Sequence, residues 1–123
     1  RGIHRRSARG RVLYRAHATV GPFRLSTRYA VELRAASRFR EVLAAIRRRV
    51  LRRRDGGQGI DALFAEAVRE EPGAHGLDAD SDMGLCFTAS VGAACWVGRA
   101  LSTPRFPAAG RGLEAGLHAW RRL

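Results

Sequence analysis

Six of the eight residues from 47 to 54 are arginine: Arg47, Arg48, Arg49, Arg52, Arg53 and Arg54. A guanidinium stays charged at any physiological pH and presents a planar fork of donors that can bond two phosphate oxygens at once, so this cluster offers phosphate-binding chemistry. Like charges at helical neighbour spacing repel by about 0.2–0.5 kcal/mol per pair unless counter-charge is supplied. Within residues 37–54 the one acid is Glu41. The missing charge is therefore expected from a partner, and a nucleic acid, RNA first, or another polyanion matches the need. Arg5, Arg6 and Arg9 near the start, with Arg24 and Arg28 on an expected strand, extend the same phosphate-binding set. Contacts of this kind position a nucleic acid and do not read its sequence.

Other chemistry is thinly represented. The sequence holds no glycine-rich phosphate loop, no GxSxG and no paired metal-ligand spacing, and His4, His17, His75 and His118 are scattered, so neither a metal nor a cofactor is implied. One constellation stands apart: Cys86, at the start of an expected helix, followed 32 residues later by His118-Ala119-Trp120. A thiol at a helix N-terminus ionises more easily, and a distant histidine can serve as its base. Residues 86–120 resemble the transglutaminase-like leader peptidases of lasso-peptide biosynthesis, in which a cysteine begins a helix and His-Ala-Trp follows on a strand. The resemblance implies a Cys–His hydrolase with Cys86 as nucleophile and His118 as base. Asp78, Asp80 and Asp82 just before Cys86 oppose thiolate formation, and residues 103–117 lack strand alternation. A buried structural Cys86 and a surface His118 are the competing assignment.

Charge is distributed unevenly. The formal net charge is +12, but residues 1–54 carry 17 arginines against Glu32 and Glu41, a balance of +15, while residues 55–123 carry 6 arginines against 9 acids, a balance of −3. There is no lysine or asparagine, and Gln58 is the one glutamine. Replacing lysine by arginine preserves charge, so that bias leaves the shortage of acids in the first half unexplained. A +15 half-chain points to nucleic acid or an anionic surface.

The positioning elements follow from periodicity. Residues 11–20 and 23–33 alternate apolar and polar and predict two strands joined by Gly21-Pro22, with Arg15, His17, Arg24 and Arg28 on the outer face. Tyr14, Phe23 and Tyr29 fall on the inward face. In residues 37–54, Phe39, Val42, Leu43, Ile46 and Val50 form one apolar edge of a helix. A shorter helix over 59–71 carries Asp61, Glu66, Glu70 and Glu71, acids able to neutralise part of the arginine coat if the two helices run antiparallel. Residues 83–101, charge-free from Met83 to Gly98 and rich in Gly and Ala, predict a lean core helix capped by Asp80, Ser81 and Asp82; a short membrane span is the alternative. A last helix is expected over 113–123. Cys86 and Cys95, nine residues apart on one helix, would lie on opposite sides of it, so both are expected to be reduced, in a thiol-keeping intracellular compartment.

Residues 1–10 read as a flexible basic tail and 11–123 as a single domain. A chain starting at Arg1 reads as a processed form, a trimmed chain or a fragment, and an acid-free, Arg-, Ser- and Thr-bearing start overlaps the composition of organelle transit peptides, which admits the mitochondrial matrix. The expected fold is α+β: an N-terminal hairpin followed by three to four helices, with a small-residue-rich apolar helix in the core. The expected function is a non-enzymatic, basic RNA-binding or ribonucleoprotein structural subunit. A small accessory subunit of a membrane or organelle complex, contacting other protein subunits or lipid, is the second reading, and the Cys–His hydrolase the third.

Overall fold

The computed structural model describes residues 2–53, 59–91 and 101–122. Strands β1 (Ile3–Ala8), β2 (Arg11–Val20) and β3 (Phe23–Ser26) are followed by helices α1 (Leu33–Arg53) and α2 (Ile60–Ala74). Strand β4 (Cys86–Val91), the two-residue strands β5 (Leu101–Ser102) and β6 (Phe106–Pro107), and helix α3 (Gly110–Arg121) complete the chain. The sheet is antiparallel in the order β1-β2-β3-β4-β5, with β6 also paired to β4. The architecture is thus α+β, with three helices among the described residues.

The hairpin expected over 11–33 forms around Gly21-Pro22, with Val20 opposite Phe23. Its second strand is shorter than the alternation implies. After Ser26 the chain turns, and Ala30 rejoins through a single bridge to Tyr14. That irregular stretch shifts the phase: Thr27 and Ala30 are both buried, and Tyr29 ends on the outer face instead of the core. Residues 3–8, read from the sequence as part of a basic tail, form β1 along β2. The fold-back is made by a two-residue loop in which Arg9 (φ 52°) and Gly10 (φ 75°) are both left-handed, the geometry that matches strand twist in tight hairpins.

Helix α1 buries Ala36, Phe39, Val42, Leu43, Ile46 and Val50 against the inner face of the sheet, matching the expected apolar edge. Helix α2 places Phe64 flat on Phe23, ring centroids 4.2 Å apart, and Phe87 and Trp120 meet Phe23 edge-on at 6.1 and 5.2 Å. This aromatic cluster ties α2, β3, β4 and α3 into one core. Pro72, expected to stop the second helix, instead lies buried in the last turn of α2, which runs on to Ala74. Helix α3 begins at Gly110, three residues before the expected start at 113.

The core helix expected over 83–101 is not formed in its described part. Phe87 and Ala89 are buried while Cys86, Thr88 and Ser90 are half-exposed, the period of two of a strand covered on one face. The carboxylates expected to cap that helix close a loop: Asp78 accepts the N–H groups of Asp80 (2.9 Å) and Ser81 (2.8 Å), and Asp82 accepts that of Asp78 (2.7 Å). Bonding first from Ser81 and then from Asp80 holds the Asp78 carboxyl below its usual range. Gly84, at φ 53°, then turns the chain away from any helical path. Absence of charge signalled burial, which an inner strand satisfies as well as a helix. The rest of that expectation, including Cys95, lies outside the described residues. Among the described residues no helix is long and apolar enough to cross a membrane.

Candidate nucleic-acid interface

Helices cover one face of the sheet, so the other face is left to polar side chains. Register sets its composition. His4 stands opposite Arg15, His17 opposite Ser26, Thr19 opposite Arg24, and Arg24 opposite Thr88. Residues directly opposite on antiparallel strands share a face, so these groups form one outer surface. A hollow of about 430 Å³ on it is lined by His4, Arg15, His17, Arg24, Thr88 and Arg105, among others, and no acid lines it. Beside it, the Tyr29 ring lies 5.0 Å from the Arg15 guanidinium and 5.5 Å from that of Arg6, with the His4 ring at 6.4 Å. The buried Nε of Arg15 has no hydrogen-bond partner among the described residues.

The concentration of positive charge has a direct consequence at His17. Partial burial first, then the charges of Arg15, His4 and Arg24, lower its pKa from the ordinary 6.5. A protonated imidazole is disfavoured there because burial removes part of its hydration and the guanidinium groups of Arg15 and Arg24 lie close by.

A second concavity of about 890 Å³ lies between α1 and the edge of β2. Ala18, Leu43 and Ala44 line it, together with Arg40, Arg47, Arg48, His17, Thr19 and His75, and Glu41 is its one acid. A third, of about 490 Å³, continues along α1 past Arg48, Arg49, Arg52, Arg53 and His75, with Glu71 as its one acid. His17 and Thr19 belong to both the first and second hollows, and Arg48 and His75 to both the second and third. The basic surface therefore runs without a break from the ridge of α1, over the edge of β2, onto the sheet.

The structure sorts the arginines that the sequence could only list together. Arg49 is clasped by α2, its Nη2 donating to Glu66 and Glu70 at 2.8 Å each, with Glu71 at 3.9 Å from Nη1. These bonds, Glu70 foremost, raise the Arg49 pKa above its already high value. Arg53 reaches Glu66 at 3.3 Å. Arg47, Arg48 and Arg52 are exposed and make no ion pair among the described residues. Arg28 is structural: its Nε donates to the Asp82 carbonyl at 2.7 Å, Nη1 donates to that of Tyr29 at 3.2 Å, and the guanidinium lies 5.4 Å from the Phe39 ring. Arg6 and Arg24 are on the outer face; Arg5 stands opposite Tyr14 on the other side of β1, and Arg9 is in the β1–β2 loop. Arg54 lies outside the described residues.

Of the other acids, Asp61 is engaged by Arg121 and Glu114 by Arg69, while Glu41 of α1 makes no ion pair among the described residues. His4, Arg15, His17, Tyr29 and Arg105, which share this outer surface, were not among the phosphate-binding candidates read from the sequence. Outward alternation on β2 pointed to Arg15 and His17, but nothing local signals Arg105, which the β4 pairings bring beside Arg24.

The helix-borne thiol and strand-borne histidine of the hydrolase reading are both reversed. Cys86 opens β4, its Sγ 3.2 Å from the Ser26 Oγ, and His118 is exposed on α3. No hydrogen bond joins them among the described residues. Nor do three or more His, Cys, Asp or Glu side chains gather as metal ligands among those residues. Compared with protein-family models, with curated proteins and with solved structures, the chain matches none.

Proposed function

We propose that this protein is a non-enzymatic RNA-binding or ribonucleoprotein structural subunit that engages phosphates along the tract from Arg52, Arg48 and Arg47 of α1 to Arg24, Arg15 and Arg6 of the sheet. The observation that carries this reading is the sharing of His17 and Thr19 between the groove and the sheet hollow, which makes two arginine clusters one surface. Self-neutralisation is the competing explanation of the charge, and α2 supplies it for Arg49 and Arg53. With Asp61 and Glu114 engaged by Arg121 and Arg69, that explanation stops short of the tract.

Filter binding of single-stranded RNA against salt tests the reading. Each phosphate neutralised contributes about 0.7 to the log–log slope for a single strand, so five or six contacts give a slope near −4. A flat salt dependence overturns the proposal.

A further inference from the structure

The groove between α1 and β2 differs chemically from the rest of the tract. A pure phosphate trench would be lined by cations and hydroxyls, whereas the lining of this one also includes Ala18, Leu43 and Ala44 and a carboxylate, Glu41. Ala18 and Ala44 are half-buried, so their methyl groups reach the groove, and Thr19 and Glu41 are exposed. Neither Thr19 nor Glu41 makes a side-chain hydrogen bond among the described residues. A carboxylate repels phosphate but accepts a hydrogen bond from the exocyclic amino group of a base. The imidazoles of His17 and His75 supply flat surfaces on which a base can stack. At about 890 Å³ the groove is large enough for a nucleoside, since sites for small ligands span about 300–1,000 Å³. Arg47 and Arg48 also line the groove and are exposed, so their guanidinium groups can reach flanking phosphates.

From this juxtaposition we infer that the groove receives an unpaired nucleobase carrying an amino group, which makes single-stranded RNA the ligand of the tract in preference to duplex. The inference rests on the RNA-binding reading above and adds the class of RNA. In a duplex the bases are stacked and paired, so their amino groups and faces cannot enter a groove beside the backbone. In a single strand one base can turn in while its neighbours' phosphates lie on Arg47 and Arg48.

Fluorescence anisotropy at low salt with three 12-nucleotide probes tests this: oligocytidylate, oligouridylate and an abasic ribose-phosphate strand of equal charge. Wild-type protein is expected to bind oligocytidylate about ten-fold tighter than the abasic strand, the scale of one stacked base. It should also prefer oligocytidylate to oligouridylate, because uracil lacks the amino group. Ala44→Leu adds bulk to the groove lining and should reduce oligocytidylate binding to the abasic level while leaving the abasic strand unaffected. Glu41→Ala, an exposed change that spares the core, should tighten the oligouridylate and abasic probes through loss of a negative charge but tighten oligocytidylate less, because its amino group loses an acceptor, so that the cytosine–uracil preference disappears. Equal affinity of wild type for all three probes, with a steep salt slope, overturns the base-binding inference and leaves phosphate binding standing. Weak, salt-independent binding of every probe overturns both.

Discussion

Replacing Arg47, Arg48 and Arg52 together by Gln separates the arginines that have no ion pair among the described residues from those that α2 engages. All three are exposed on α1 without an ion pair among the described residues, so their loss should cost little stability. If each neutralises one phosphate, the log–log salt slope for single-stranded RNA should fall by about 2, which narrows the affinity loss between 50 and 200 mM salt by roughly 20-fold. Arg49→Gln is the internal control. Its guanidinium, with a side chain 20% exposed, bridges Glu66 and Glu70, and removing it leaves three carboxylates facing each other on α2. That should destabilise the fold by about 1–3 kcal/mol while leaving the salt slope unchanged. Urea melts give the first quantity and filter binding the second. An Arg49 variant that lowers the slope as much per residue as the triple variant would refute the division of α1 into ligand-facing and α2-facing arginines. An unchanged slope in the triple variant would remove α1 from the interface.

Gly116→Ala pits two effects against each other: helix propensity favours Ala by about 1 kcal/mol. An added Cβ, however, would overlap the buried Phe87 ring and lie 3.1 Å from the Phe106 Cβ. Overpacking of about 1–3 kcal/mol should win, lowering the urea midpoint without altering the slope of the transition; a raised midpoint would contradict the α3–β4 packing. At His17 the folded pKa lies below the unfolded 6.5, so its contribution to stability is present above pH 6.5 and lost as pH falls through the lowered value. A phosphate bound nearby would raise that pKa, so RNA affinity should increase as pH drops below 6.5, and His17→Gln should blunt both trends in melting and anisotropy measured across pH. Cys86→Ala removes a thiol contact to Ser26 and is expected to cost under about 1 kcal/mol with no change in RNA affinity. A hydrolytic activity abolished by that variant would reinstate the Cys–His hydrolase.

Local periodicity was enough to place the first helix, its apolar edge and the turn at Gly21-Pro22, because each depends on residues a few positions apart. It was misleading where the pattern was short or uniform. Residues 86–91 carry no charge and few large side chains, so helix and strand were nearly equal by pattern. The left-handed Gly84 and the pairing of Leu25 with Phe87 decided for a strand. Tyr29 left the core because the chain breaks its alternation after Ser26, and β1 formed because Arg9 adopts a left-handed turn that composition does not announce.

The excess of arginine over acid in the N-terminal half was fixed by composition alone, since no folding event changes the number of charges. Which arginines stay without an acidic partner among the described residues was decided only in three dimensions: α2 sets its carboxylates beside Arg49 and Arg53. The sheet register gathers Arg15, Arg24 and Arg105 from distant parts of the chain into one hollow. Charge is a sum over residues and needs no geometry, whereas a binding surface depends on distances of a few ångströms that only the packed chain sets.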